Sequence, residues 1–448
     1  MELLRALRLD SPANHNINLS IVGASGKSTA LFQLAHQFVG RSKAAAIVTA
    51  TTHLGTWQTA NAGQHIVARD IQSLARIFDS DPRGVIVITG EKKDDRYSPI
   101  DEPLLEWLHE KTSAQRLPLL IEADGSRARP LKAPEIHEPP IPEFTDLVLV
   151  VAGLNGIGKP LTDEHVHRAK IFSRLGHLPF NAIITPESIS RVLTHPQGGL
   201  KNIPQTARRV VLLNQADTPE LKSIGGAMAR DLLDHFGTVI VGSLQKPEMQ
   251  TFETTAGIIL AAGESTRFGS PKQLLDWHGK PFVRHIAETA LGARLRPVVV
   301  VTGSHAAAVQ AALRGLQVEI AHNPEYQQGQ STSIRKGVSV LPRNTGAAIF
   351  LLSDQPQITI AVICALSETH SHGLPAILAP LIREERRANP VLFDRLAFSD
   401  LMALTGDVGG RALFSKYKVE YVPWHEENLL LDVDKPEDYQ RLVADETP

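Results

Sequence analysis

Between Leu260 and Gln273 the chain reads LAAGESTRFGSPKQ, directly after an apolar run at Gly257 to Leu260. Ala261, Ala262 and Gly263 are small enough to let a ligand approach the backbone, whose unpaired N–H groups can bond a nucleobase or phosphate oxygens. Arg267 and Lys272 then supply positive charge. That combination suits a nucleoside triphosphate, because displacement at the α-phosphorus builds negative charge on the departing pyrophosphate and its catalysis is mostly positioning and electrostatic stabilisation. A metal carboxylate is expected at a strand tip, and Asp354 follows the apolar run 347–352 and Ser353. Asp432, in LLLDVDKPED, is the second candidate. Hard Mg²⁺ favours one or two carboxylates with phosphate oxygens and water. Lys272, Arg267 and Asp354 are thus the expected catalytic residues, with Asp354 and Asp432 as metal ligands. Asp434, just before Lys435-Pro436-Glu437, reads as a helix N-cap.

Two further segments fit around that centre. Gly329 to Arg335 (GQSTSIR) looks like a helix N-terminus rich in hydroxyls, so Ser333 joins Ala261, Ala262 and Gly263 as an expected nucleotide contact, with plain capping as the alternative. Asn389-Pro390 and Gly406 to Arg411 (GDVGGR) offer an amide, a carboxylate and an arginine in glycine-rich loops, which suits a second, phosphate-bearing substrate held by Asn389, Asp407 and Arg411. A plain turn is the other reading of that loop.

A second phosphate-binding candidate lies near the start of the chain. Ile21 to Thr29 (IVGASGKST) follows a strand-like run and opens a helix-like one, Thr29 to Phe38, the context such a loop requires. Its short GxxGK[ST] form resembles the ATP loop of Mur ligases. Gly23, Gly26, Lys27 and Ser28 are the expected nucleotide contacts, with Lys27 on the β and γ phosphates and Ser28 on a metal. Glu122-Ala-Asp124, after another strand-like run, is well placed for a metal-linked carboxylate. Asn214 to Asp217 resembles the guanine-reading Asn-Lys-x-Asp loop, with Gln215 in place of lysine. Arg127, Arg129 and Lys132 are anion-binding candidates. His137, His165 and His167 with Glu138 are either a metal site or, given their dispersed spacing, a surface loop.

These loops need rigid elements to hold them. Short β-branched runs alternate with helix-like segments along the whole chain, which argues a parallel α/β architecture rather than an all-β fold. At 448 residues the chain exceeds what one core usually supports. We place the seam in Gly242 to Thr255, giving a P-loop-like parallel-sheet domain over 1–245 and a Rossmann-like nucleotidyltransferase domain over 254–448. Ser126 to Phe144, with five prolines from Pro130 to Pro142, reads as an ordered loop. Lys plus Arg (46) nearly balances Asp plus Glu (48), so no bulk field draws nucleic acid or an anionic membrane. The only cysteine, Cys364, reads as a small buried side chain, and with no intrachain disulfide a reducing cytoplasm fits. The N-terminus lacks an apolar signal core and no stretch approaches the roughly 18 to 20 apolar residues of a membrane span, so a soluble, unprocessed protein is expected.

Two resemblances follow from these motifs. Thr254 to Val443 resembles the MobA-like nucleotidyltransferases, and within them the molybdenum cofactor cytidylyltransferases (MocA), on LAAGESTRFGSPKQ, GQSTSIRKG, SDQP, NPVLF, GDVGGR and LDVDKPED. The resemblance implies CTP and Mg²⁺, with CMP transferred to the terminal phosphate of molybdopterin. Guanylyl relatives usually carry a second glycine where Ala262 stands, which leans towards CTP; Ala388, where relatives often have glycine, is a departure. Residues 15 to about 245 resemble the YqeC-type proteins named as accessory factors of selenium-dependent molybdenum hydroxylases, on GASGKST, TATTH, EADGSRARPLKAPEIHEPPIP and GIGKPLTDEHVHR. That implies a maturation role using a nucleotide, with ATP and GTP as candidates, and an apo molybdenum hydroxylase or its insertion chaperone as partner. The rival expectations are transfer to another phosphate substrate and a non-catalytic cofactor carrier or insertion chaperone.

Overall fold

The computed structural model describes residues 1–11, 14–42, 44–246, 248–265 and 268–444. The chain divides into two compact units, Met1–Phe252 and Glu253–Pro448.

In the first unit the strands are β1 (Asn18–Gly23), β2 (Ala45–Ala50), β3 (Gln64–Val67), β4 (Gly84–Thr89), β5 (Leu119–Glu122), β6 (Leu147–Gly153), β7 (Arg208–Asn214) and β8 (Thr238–Val241). With Gln250–Glu253 at one edge they form a sheet in the order β8-β7-β6-β1-β5-β2-β4-β3. Every pairing described between β1 and β8 is parallel. Parallel strands are covered on both faces, which is why β2 and β6 are buried along their whole length rather than alternating, with Thr49 the one polar side chain of β2. Helix α1 (Lys27–Ser42) leaves the tip of β1 and buries Leu31, Leu34 and Phe38 against the sheet.

The turn between β1 and α1 depends on Gly23. Its φ is +99°, and a Cβ there would stand 2.2 Å from the Val151 carbonyl oxygen of the adjacent β6, so no larger residue fits without moving a central strand. Gly26 follows with φ +111°. The tips of β1, β5 and β6 therefore converge on one tight loop, where ligands gather in such sheets.

The second unit has β9 (Thr255–Ala261), β10 (Val298–Thr302), β11 (Glu319–His322), β12 (Ala347–Leu352), β13 (Ile377–Ile382), β14 (Arg386–Arg387), β15 (Val391–Asp394) and β16 (Val419–Trp424). The sheet runs β11-β10-β9-β12-β15-β13-β14, with β16 beside β13. β11, β10, β9 and β12 are parallel, whereas β15 is antiparallel to both β12 and β13. The sheet is thus mainly parallel, in keeping with the α/β expectation, with β14 and β15 running against the other strands. The chain reverses at residues 383–385, between β13 and the antiparallel β14, and β15 then runs back between two strands of the opposite sense. Helix α2 (Gln330–Ser339) buries Ile334 and Val338 against Ile258 and Val301.

Cys364 is exposed, against the expectation of burial. Helix α3 (Ile360–Gly373) turns Val362, Ile363, Leu366 and His370 inward, and residue 364 falls on the other side of that helical period. Among the described residues no helix is long and apolar enough to cross a membrane.

Candidate functional site

In the second unit the loop after β9 opens an uncovered cleft of about 1840 Å³, lined by Ala262, Gly263, Lys272, Ser333, Asp354 and Asp407 among others. Ala261 is not in its wall: paired with Thr302 and 1% exposed, it belongs to the core beneath. Ser265 shapes the loop, its hydroxyl accepting from the Lys272 N–H at 3.0 Å, while Gln273 donates to the Gly263 carbonyl at 3.3 Å. Lys272 is thereby aimed across the cleft, with Nζ 2.6 Å from Asp434 and 3.6 Å from Asp354. Arg267 lies outside the described residues.

Asp434 is the residue that sequence reasoning misplaced. The N–H groups of Asp434 and Lys435 are capped by Asp438 at 3.1 and 2.9 Å, one turn inside the helix Pro436–Ala444. The Asp434 carboxylate itself lines the cleft and pairs with Lys272. The signal for this, a second aspartate in LDVDKPED, was visible but ambiguous.

Asp432 lines a neighbouring cavity of about 810 Å³, with Asn389, Arg411, Gly409, Gly410 and an apolar wall that includes Phe350 and Phe393. The two cavities share Leu260, Gln330 and Leu352. Asp407 is on the cleft side instead, its carboxylate accepting from the Gln330 N–H at 3.1 Å at the start of α2. Only a glycine permits that docking, since a Cβ on Gly329 would lie 2.5 Å from the Asp407 Cα.

The carboxylates are electrostatically frustrated. Burial pushes the Asp354 carboxyl above the usual carboxylate range, Lys272 opposing and the Asp432 charge adding to the rise. Burial likewise raises Asp432, helped by Asp434, while a hydrogen bond from Gln355 opposes. Gln355 donates to Asp432 at 2.5 Å and is only 2% exposed, yet among the described residues its Oε1 has no partner. Destabilised anions beside an orphaned acceptor oxygen are what a bound cation would relieve, so the residues present fit a hard divalent metal. Gln357 holds the 428–431 turn, donating to the Asn428 and Leu431 carbonyls at 3.0 and 2.6 Å.

In the first unit Lys27 is 4% exposed, donates to the Gly23 carbonyl at 2.9 Å and pairs with Asp124 at 3.3 Å. Ser28 donates to Glu122 at 2.9 Å, and Gln58 donates to the same carboxylate at 3.1 Å. Burial raises the Glu122 carboxyl despite Lys27 nearby. Asn214 spans the Ser25 carbonyl and the Leu244 N–H at 2.7 and 3.0 Å, so it braces the loop. Glu138 is taken by Lys132 and Arg168, and among the described residues no group of three or more His, Cys, Asp or Glu side chains is placed to hold a metal, so His137, His165, His167 and Glu138 are not brought together as one. His167, lowered to about 4 by burial and by the charges of Arg168 and Lys132, is neutral near pH 7.

The YqeC protein family matches residues 19–170. "Uncharacterized protein YqeC" of Escherichia coli (strain K12) is 31% identical over 197 residues, which is 44% of this chain and 75% of that protein. The chain belongs to the YqeC family. Beyond its YqeC part it carries a MobA-like NTP transferase domain, matched over residues 257–421. A "Probable molybdenum cofactor guanylyltransferase" of Bacillus cereus (strain Q1) is 50% identical over 50 residues, 11% of this chain and 24% of that protein. Among solved structures, Rv0371c from Mycobacterium tuberculosis H37Rv is 26% identical and has a TM-score of 0.39, covering 43% of this chain and 98% of that one. In this YqeC-family chain the nucleotidyltransferase site is thus a separate unit, and Lys27, Ser28, Glu122 and Asp124 all fall inside the YqeC match.

Proposed function

We propose that the second unit transfers CMP from CTP to the terminal phosphate of molybdopterin and releases pyrophosphate. The observation that carries this reading is the pair of adjoining cavities. One holds Lys272 and Asp354, and the other has Phe350 and Phe393 in its wall with Asn389, Arg411 and Asp432 around it. A triphosphate suits the first. A flat pterin with an anionic tail suits the second, its ring against Phe350 and Phe393 and its phosphate towards Arg411.

In this mechanism Lys272 and Arg267 carry the triphosphate, and Ala262, Gly263 and Ser333 hold the nucleoside. Asp354 and Asp432 hold Mg²⁺, which supplies charge neutralisation and orientation of the phosphates. Arg411 and Asn389 present the acceptor phosphate, whose oxygen attacks the α-phosphorus in line. The bond from the α-phosphorus to the bridging oxygen breaks, and pyrophosphate leaves with that oxygen's electron pair. No side chain becomes covalently attached. Ala262, where guanylyl relatives usually carry glycine, favours CTP over GTP.

In the first unit Gly23, Gly26, Lys27 and Ser28 bind the phosphates of ATP or GTP, in support of molybdenum hydroxylase maturation. The test for the second unit is turnover with CTP and molybdopterin in the wild type and in Lys272→Ala. Loss of turnover in a folded variant supports the assignment, and wild-type turnover overturns it.

A further inference from the structure

We propose that Asp124 is a resident anion in the YqeC phosphate loop, that nucleotide binding must displace it, and that the displacement releases the Leu131–Glu138 segment. This rests on the reading of Gly23 to Ser28 as a nucleotide-phosphate site.

Asp124 already takes what a phosphate would need. The Gly23 N–H donates to both of its oxygens at 3.1 and 3.0 Å, and the Lys27 ammonium stands 3.3 Å away. The side chains of Lys27 and Asp124 are 4% and 3% exposed, so little solvent screens this pair. A triphosphate arriving on Lys27 meets a carboxylate within reach of the same ammonium. Two like charges on one buried cation repel strongly, and one of them must move.

Movement of Asp124 cannot stay local. Its other oxygen pairs with Lys132 at 2.9 Å, Lys132 pairs with Glu138 at 2.7 Å, and Glu138 is gripped by Arg168 through two contacts, one of 2.8 Å. Lys132 also donates to the Gly125 carbonyl at 2.6 Å. A buried ion-pair chain of this kind has high stakes: taking one member away leaves its neighbours as uncompensated charges. The chain crosses a turn that can yield. Arg127 and Ala128 both have φ in the left-handed region, at 51° and 57°, and a side chain on Gly125 would meet nothing. At the far end Ile136 is 86% exposed, while Lys201 donates to its carbonyl at 2.8 Å. An apolar side chain held out on a pinned loop is what a nucleotide-driven release would reposition.

The test is amide hydrogen exchange of Leu131–Glu138 in the full chain, with and without MgATP or MgGTP. The comparison set is wild type, Lys27→Ala, Asp124→Asn and Glu138→Gln. We expect nucleotide to speed exchange there by about 10-fold or more in the wild type and not in Lys27→Ala. Asp124→Asn should bind nucleotide more tightly, by about 10-fold, because one of the two competing charges is gone. Glu138→Gln cuts the chain beyond the loop, so it should retain nucleotide binding and exchange fast without nucleotide. It also carries the test if Asp124→Asn does not fold. Lys27-dependent nucleotide binding with unchanged exchange overturns the coupling and leaves the site reading standing. No binding of either nucleotide to the wild-type YqeC unit overturns both.

Discussion

The Lys272 ammonium pairs with Asp434 at 2.6 Å, closer than the 3.6 Å to Asp354. On the proposed mechanism Asp434 is the tether of the phosphate-binding lysine, and Asp354 is the carboxylate that would hold the metal. Asp354→Asn should lower CTP turnover by on the order of 100-fold or more, a loss of roughly 2.7 kcal/mol in transition-state stabilisation. Asp434→Asn should cost about 10-fold, because Lys272 loses its orientation but keeps its charge. Steady-state rates at saturating Mg²⁺ check the ranking, and a larger loss at Asp434 reverses the assignment.

Gln355 should matter through the metal. Replacing it with leucine removes the hydrogen bond that fixes Asp432 together with the orphaned Oε1, so the Mg²⁺ concentration for half-maximal rate should rise about 10- to 100-fold. Magnesium titrations measure this. An unchanged half-saturation would show that Asp432 is not a ligand.

Acid should act on Asp354 and Asp432 in one direction and on Glu138 in the other. Burial, with neighbouring carboxylates, raises Asp354 and Asp432, so their folded forms hold protons more tightly than the unfolded chain does. Without metal, their contribution makes the second unit more stable as the pH falls into the range just above ordinary carboxylates. Turnover falls over the same range, and more Mg²⁺ moves that limb to lower pH. Glu138 runs the other way. Burial would raise it, but Arg168 and Lys132 hold it down to about 2, so its stabilisation is present above the ordinary glutamate range and lost as the pH falls towards 2. Glu138→Gln should destabilise the first unit at neutral pH by about 3 kcal/mol, the scale for breaking a buried ion pair, and flatten that acid limb. Thermal unfolding against pH, with and without Mg²⁺, reads both effects.

Much of this was legible in the residues, and the gaps have physical causes. The strand at Ala347–Leu352 announced itself by continuous apolar character, and Asp354 at its tip followed from that. Val391–Asp394 does not read as a strand in the sequence, because four buried residues carry no period that separates a strand from a loop, and nothing local reports antiparallel direction. Asp434 was read as a cap because helix-start chemistry is local, whereas its partner Lys272 is 162 residues away. Asn214 looked like a base reader for the same reason. Its use as a brace depends on Ser25 and Leu244, which only the sheet order brings beside it. Cys364 shows the limit of composition: an apolar neighbourhood in sequence placed it inside, and helical phase put it outside.

The identity of donor and acceptor can be read directly from the product. Purified full-length protein is incubated with Mg²⁺, molybdopterin and each of the four nucleoside triphosphates in turn, and the pterin product is weighed by mass spectrometry. A gain of one CMP is expected with CTP, with one pyrophosphate released per product over many turnovers. A pterin unchanged in mass with every nucleotide, or a gain of GMP with GTP in preference to CMP, would contradict it.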